Sequence, residues 1–185
     1  MITSIAHDRE GGRAAFLEAM SRLASAVSII TTDGPEGRAG VTVSSLVSVS
    51  ADTPLPTILV CIHKSSSACS AILGNGVFCA NTRRHDQAHI ADTFAGRKTL
   101  AGEEKFASAS WTNGLSGVTR LINPLATFDC RITHSKLVGL HHVIFGEVQS
   151  LVIGDQDQPL IYANRGYKTA VPIAVAPDIV TAKVA

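Results

Sequence analysis

The chain has 185 residues, of which 45 % are hydrophobic and 17 % charged, and a formal net charge of +1. Such a length suits one domain of roughly 100–200 residues, the apolar content excludes disorder, and Lys plus Arg at 16 against Asp plus Glu at 15 leaves no basic surplus for sequence-independent nucleic-acid binding. The strongest apolar run, residues 58–62, falls far short of the ~20 residues that cross a bilayer, and His7, Asp8, Arg9 and Glu10 stand where an export signal would be apolar, so a cytoplasmic protein is expected.

Residues 1–12 read as a flexible tail. Over residues 14–25, Phe16, Met20 and Leu23 recur at helical spacing, with Arg13, Glu18 and Arg22 on the other faces, which predicts a helix. β-Branched residues then dominate 27–32. The turn cluster at 33–37 and the run at 40–45 complete a predicted hairpin. Residues 46–50 alternate imperfectly before Pro54 and Pro56, and 57–62 form an apolar run that predicts a strand buried on both faces. A polar loop at 63–67 opens a short predicted helix over 68–73, with Ser65, Ser66 or Ser67 as N-cap and Gly74-Asn75-Gly76 as its end. A strand over 77–81 follows, then a helix over 85–94 and a short one over 103–109. Long strands are predicted over 125–133 and 143–153, with Gly146 at a bulge or bend, and a short one over 160–162. Residues 171–185, with Pro172 and Pro177, read as an extended arm. Strands interrupted by a few short helices predict a mainly β domain over residues 13–170, a β-barrel with peripheral helices. Regular βα alternation, GxGxxG and the P-loop signature are all absent, which disfavours a Rossmann fold.

The densest polar signal is hydroxyl. Eight of seventeen serines lie between Ser44 and Ser70, in two clusters, and Lys64 precedes the second. Hydroxyls and backbone N–H groups at a helix start suit a phosphate; hydroxyls on wet strand faces give the same pattern, and residue pattern alone does not choose between them. His85 and His89 have the i, i+4 spacing of a metal pair, but no third ligand is near and a solvated helix face is expected. Cys61, Cys69, Cys79 and Cys130 form no CxxC pair and read as buried thiols. There is no GxSxG elbow for a hydrolase. His141-His142 opens a strand, where an imidazole at a barrel rim can orient a ligand.

Several pieces stand together in order. They are Phe16 and Met20, the run 40–50, residues 62–67, Phe78-Cys79-Ala80-Asn81, and Gln87, Ile90 and Phe94-Ala95-Gly96. Phe106, Trp111, Gly117 and Leu121 follow, then Gly139-Leu140-His141 with Gly146-Glu147-Val148, and Leu160-Ile161-Tyr162 with Tyr167. In these the chain resembles the flavin reductase-like family over about residues 16–167. The resemblance implies an FMN-binding split barrel of Greek-key type. It also implies an NAD(P)H:flavin oxidoreductase that takes FMN or FAD, uses NADH or NADPH as co-substrate, and forms a homodimer. Reduced flavin would reach a partner monooxygenase by diffusion.

Carried over, Thr42, Val43, Ser44, Ser45, Ser48 and Ser50 would line the flavin. Ser65, Ser66 and Ser67 would hold its ribityl-phosphate end with Lys64 or Arg97, and Phe94 and Ala95 would lie close to it. His141 would stand against the nicotinamide as the catalytic, positioning residue, and Tyr167 would close the site; no metal is implied. The chain departs from the family pattern at Leu140, where the family has Asp, at the extra His142, in the loosened turn 52–56, and at Thr119 in place of Pro. Two other readings are a carrier or storage protein with tightly held FMN and an FMN-dependent oxidase of the pyridoxine-phosphate type. The second lacks a suitable Arg/Lys cluster.

Overall fold

The computed structural model describes residues 9–97, 100 and 102–173. Helix α1 (Arg9–Ser21) leads into β1 (Ser25–Ala26), β2 (Ser28–Thr32), β3 (Ala39–Val43), β4 (Val47–Ser50) and β5 (Thr57–His63). Helix α2 (Cys69–Asn75), β6 (Val77–Thr82), a 3-10 turn (His85–Gln87), α3 (Ala88–Phe94) and α4 (Gly102–Phe106) follow. The chain ends in β7 (Trp111–Asn113), β8 (Thr119–Leu121), β9 (Ala126–Val138), β10 (His141–Ile153), β11 (Leu160–Ala163) and β12 (Gly166–Thr169). The fold is mainly β, as expected.

Seven strands form one sheet in the order β3-β2-β6-β9-β10-β5-β4, each pair antiparallel. Strands β3 and β4 are consecutive in the chain yet lie at opposite edges. In a flat sheet those edges would be about 29 Å apart, at ~4.8 Å per strand. The link 44–46 reaches at most about 15 Å, so the sheet must roll up. Inward-facing residues from six strands accordingly meet in one core: Ile30, Val43, Val60, Phe78, Cys130 and Ile144. Ala68, Cys69 and Ile72 of the α2 region plug it. Where β3 and β5 approach, a side chain bridges the seam. The Ser45 hydroxyl donates to the Cys61 carbonyl (3.1 Å) and accepts from the Cys61 N–H (2.9 Å).

Strand β2 is buried along its whole length. Its inner face belongs to the core, and its outer face packs Ile29 against Ile90, Phe94 and Phe106. A second small sheet, β1-β11-β12, lies beside α3 through Val27, Ala91 and Leu160. Strands β7 and β8 form a separate hairpin.

Several local expectations change. Helix α1 begins at Arg9, inside the predicted tail, and ends at Ser21; the rest of that tail lies outside the described residues. Strand β5 alternates between buried and half-buried positions, because its outer face lines a groove instead of a second layer. No serine caps α2. The loop first turns tightly, with the Ser66 and Cys69 N–H groups donating to the His63 and Ser66 carbonyls, so Ala68 becomes the cap position. Gly76 ends α2 at φ +69°, a left-handed conformation that favours glycine. The helix expected over 85–94 is a 3-10 turn followed by α3. Gly146 sits at a register shift between β9 and β10, the bulge expected there; a Cβ would meet the buried Phe78 ring at 2.6 Å. Strands β7, β8 and β12 had no clear signal. The expected arm lies outside the described residues beyond residue 173. No described helix is long and apolar enough to cross a membrane.

Candidate active site

Strand β3 is an edge of the rolled sheet, so backbone groups along its outer side have no partner strand. Three adjoining hollows follow that edge. The first, about 310 Å³, lies among Thr42, Ser44, Ser45, Cys61, His63 and His141. The second, about 280 Å³, lies among Gly40, Ser65, Ser66, Ser67, Gly96 and Lys105. The third, about 220 Å³, lies among Val27, Ser44, Ala95, Arg97, Tyr162 and Tyr167. Val41, His63 and Ser66 wall both the first and the second, and Thr42, Val43 and Ser44 wall both the first and the third. The three make one groove.

Packing fixes its walls. The Thr42 hydroxyl donates to the Ala91 carbonyl (2.7 Å), clamping β3 to α3. Phe94 lies against Gly40 so closely that a Cβ there would meet its ring at 2.7 Å. The same ring meets Phe106 and Trp111 edge to face, at centroid distances of 5.1 and 5.6 Å. This cluster holds the end of α3 against β3 and sets Ala95 and Gly96 in the groove wall.

His141 pairs with His63 in the β10–β5 register, and both line the first hollow. The Leu140 carbonyl accepts the Lys64 N–H (2.8 Å), so the backbone holds the start of β10 whatever side chain stands at 140. Gly139 takes φ +59° in the tight turn before it. His142 pairs with Ile62, on the opposite face of the strand, and its Nδ1 lies 3.3 Å from the Ser135 hydroxyl. The extra imidazole therefore stands outside the groove.

His63 was not singled out from sequence. Its Nδ1 accepts the Ser65 N–H (3.2 Å) and lies 2.7 Å from the Ser65 hydroxyl. A neutral His63 thus carries its proton on Nε2. Asp92 was also missed. One of its oxygens takes both the Arg97 guanidinium (2.9 Å) and the Tyr167 hydroxyl (2.8 Å). Arg97 lies over the Tyr167 and Tyr162 rings at 5.4 and 5.9 Å. Partial burial, with the Asp92 bond next, pushes the Tyr167 phenol up to about 12. A helix-face pattern around α3 gave no hint of this partnership, since Tyr167 is 75 positions away.

Not every expected residue joins the groove. Ser48 and Ser50 line a different hollow of about 420 Å³, with Leu46, Phe128, Val148 and Leu151, because the chain crosses the seam at 44–46 and β4 pairs on the far side of β5. Lys64 is exposed and lines none of the three hollows. Cys61 is half-buried in the groove wall, whereas Cys69, Cys79 and Cys130 are buried. Burial pushes the Cys79 thiol up to about 12 and raises Cys130 as well. His85 lies beside Asp157, with Nδ1 3.3 Å from its carboxylate, and does not pair with His89.

Residues 20–170 match the model of the flavin reductase-like domain. The chain belongs to the flavin reductase-like family. Within it, a Methylorubrum extorquens protein named FMN reductase (NADH) RutF 1 is 47 % identical over 156 residues, covering 84 % of this chain and 76 % of that protein. Among solved structures, a flavin reductase domain protein from an Arthrobacter species superposes with a TM-score of 0.79 at 26 % identity, over 88 % of this chain and 98 % of that one. BorF, the flavin reductase component of a bacterial two-component tryptophan halogenase, gives 0.77 at 25 % identity, over 85 % and 97 %. Strand β3, the loop 63–67 and the end of α3, which the resemblance led us to expect at the flavin, form walls of the groove described above.

Proposed function

We infer that this chain is an NADH-dependent flavin reductase, with FMN as its first flavin substrate, and that the groove along β3 is where flavin and nicotinamide meet. The observation that carries this reading is the groove itself. It is continuous, and it runs from a hydroxyl-lined end through a paired-histidine middle to an aromatic end. Its donor set suits a flavin. Edge-strand amides and hydroxyls offer hydrogen bonds to a planar heterocycle, and among the described residues no carboxylate lines the end that would receive a phosphate.

When both are bound, the nicotinamide and flavin supply the hydride chemistry between them. The chain's work is placement. Edge groups of β3, with Thr42, Val43, Ser44 and Ser45, hold the ring plane. Ser66 and Ser67 face the phosphate end, joined by the Ser65 backbone. His141 orients the nicotinamide from β10, and Tyr167 with Arg97 closes the far end. No proton donor of unusual strength is required of the chain. Ser48, Ser50 and Lys64 fall outside this arrangement.

The separate hollow of about 420 Å³ beside β4 supports a homodimer. Leu46, Phe128, Val148 and Leu151 line it, and Leu151 is exposed. A second copy on this face would cover these apolar side chains. Likeness to a two-component reductase supports release of reduced flavin to a separate oxygenase.

The test is NADH oxidation, followed by its absorbance, with FMN, FAD or riboflavin added. Flavin-dependent turnover is expected, fastest with FMN. No stimulation by any flavin with either nucleotide overturns the reading.

A further inference from the structure

Two consecutive residues of α3 tie together both walls of the aromatic end of the groove. The Ala91 carbonyl accepts the Thr42 hydroxyl of β3 (2.7 Å). The next side chain, Asp92, offers a single oxygen, Oδ1, to the Tyr167 hydroxyl of β12 (2.8 Å) and to the Arg97 guanidinium (2.9 Å). Beyond the helix, Gly96 takes φ +73°, a left-handed turn, and the Arg97 N–H donates back to the Asp92 carbonyl (3.3 Å). Arg97 is therefore held by Asp92 through both its backbone and its side chain.

The consequence is a flat assembly. Arg97 lies over the Tyr167 and Tyr162 rings at 5.4 and 5.9 Å, and those rings meet edge to face with centroids 5.7 Å apart. Tyr162 and Tyr167 are also a cross-strand pair of β11 and β12. All three side chains line the hollow that Thr42, Val43 and Ser44 share with the middle of the groove. A carboxylate bonded to both a phenol and a guanidinium cancels the cation while leaving its plane stacked on aromatic rings. A surface of that kind suits a planar, uncharged ring.

We propose that Asp92 is a positioning residue for the flavin ring: by holding Tyr167 and Arg97 on one oxygen it sets the shape of the aromatic end of the groove. This rests on the flavin-reductase reading. Asp92 acts through Tyr167 and Arg97 and touches no substrate itself.

The experiment measures flavin affinity of the full chain by quenching of flavin fluorescence, which needs no turnover. It compares wild type, Asp92→Asn, Tyr167→Phe and the double variant, each with riboflavin and with FMN. Asp92→Asn should weaken both flavins by the same factor, about 3- to 10-fold, because the ring is common to them. Tyr167→Phe should lose a similar amount, and the double variant should be no weaker than the weaker single one. Losses that multiply in the double variant overturn the proposal, since they show that Asp92 acts independently of Tyr167. A loss for FMN alone also overturns it, as does a rise in KM for NADH with flavin affinity unchanged. Tyr167→Phe removes the same bond from its other side, so unchanged flavin affinity there overturns the proposal even where Asp92→Asn does not fold. Phenolate absorbance adds a spectroscopic arm: Tyr167 should ionise earlier in Asp92→Asn than in wild type, and no change overturns the coupling. A wild type that binds flavin but does not oxidise NADH overturns the reductase reading and leaves the affinity comparison intact.

Discussion

The rings of His63 and His141 meet edge to face, with centroids 4.9 Å apart and planes at 89°. His63 is itself tethered through Nδ1 to Ser65, so the contact fixes a ring that lines an open groove. Edge-to-face pairs contribute about 0.5–1.5 kcal/mol. Removing this one in His63→Ala should raise the KM for NADH by about 2- to 10-fold and leave that for FMN within about twofold. His63→Phe keeps an aromatic edge and should restore the wild-type value. Equal changes for both substrates would place His63 in the fold alone.

Arg83 should be a liability. Its guanidinium is buried, none of its three nitrogens has a hydrogen-bond partner, and the nearest aromatic ring is Trp111 at 5.8 Å. Desolvation pulls it down to about 9 from the ordinary guanidinium value. The unfolded chain then binds more protons between those values, so this group destabilises the fold at neutral pH and the penalty fades as pH rises through that window. Replacing a buried, poorly compensated charge by an apolar residue gains about 1–4 kcal/mol. Arg83→Met should raise Tm by several degrees in a thermal melt; a fall would mean that the cation has a partner in solution.

Tyr167 should titrate late. Its raised value means that the neutral phenol, and with it the bond to Asp92, persists above the ordinary tyrosine value of 10 and is lost only as pH passes about 12. Any stability it contributes is present below pH 10 and lost through that higher window. The chain has two tyrosines. Ultraviolet absorbance of the phenolate should show an ionisation above the ordinary tyrosine range, and Tyr167→Phe should delete it.

Ser45 holds the seam of the rolled sheet through both backbone groups of Cys61. Ser45→Ala leaves a half-buried N–H and C=O without that partner, at a cost of about 1–3 kcal/mol. Urea unfolding should show a lower midpoint with an unchanged slope.

Much of this architecture was legible from residue pattern. β-Branched runs and turn clusters predicted the β2–β3 hairpin, because strand burial and turn geometry are local. The bulge at Gly146 was equally readable, since a glycine inside a strand has few other causes. What pattern alone could not show were long-range partnerships. His63 looked like the start of a polar loop, and only the β5–β10 register sets it against His141. Asp92 and Lys105 lay in stretches predicted to be helical, with no motif to single them out; the partners of Asp92 are set by what folds against α3. The reverse error was Ser48 and Ser50. They read as a continuation of the Thr42–Ser45 cluster, but the chain crosses the seam between them, and proximity in sequence became distance in space.

The ion pair between Arg97 and Asp92 gives the groove a polarity. At that end a positive charge is cancelled and faced with aromatic rings, while the other end is lined by Ser65, Ser66, Ser67 and Lys105 with no carboxylate among the described lining residues. An elongated molecule with one anionic tip and one neutral planar tip therefore has a single favourable direction in which to lie. The choice of direction is made by where charge along the groove is already cancelled, before any contact with the ring is formed.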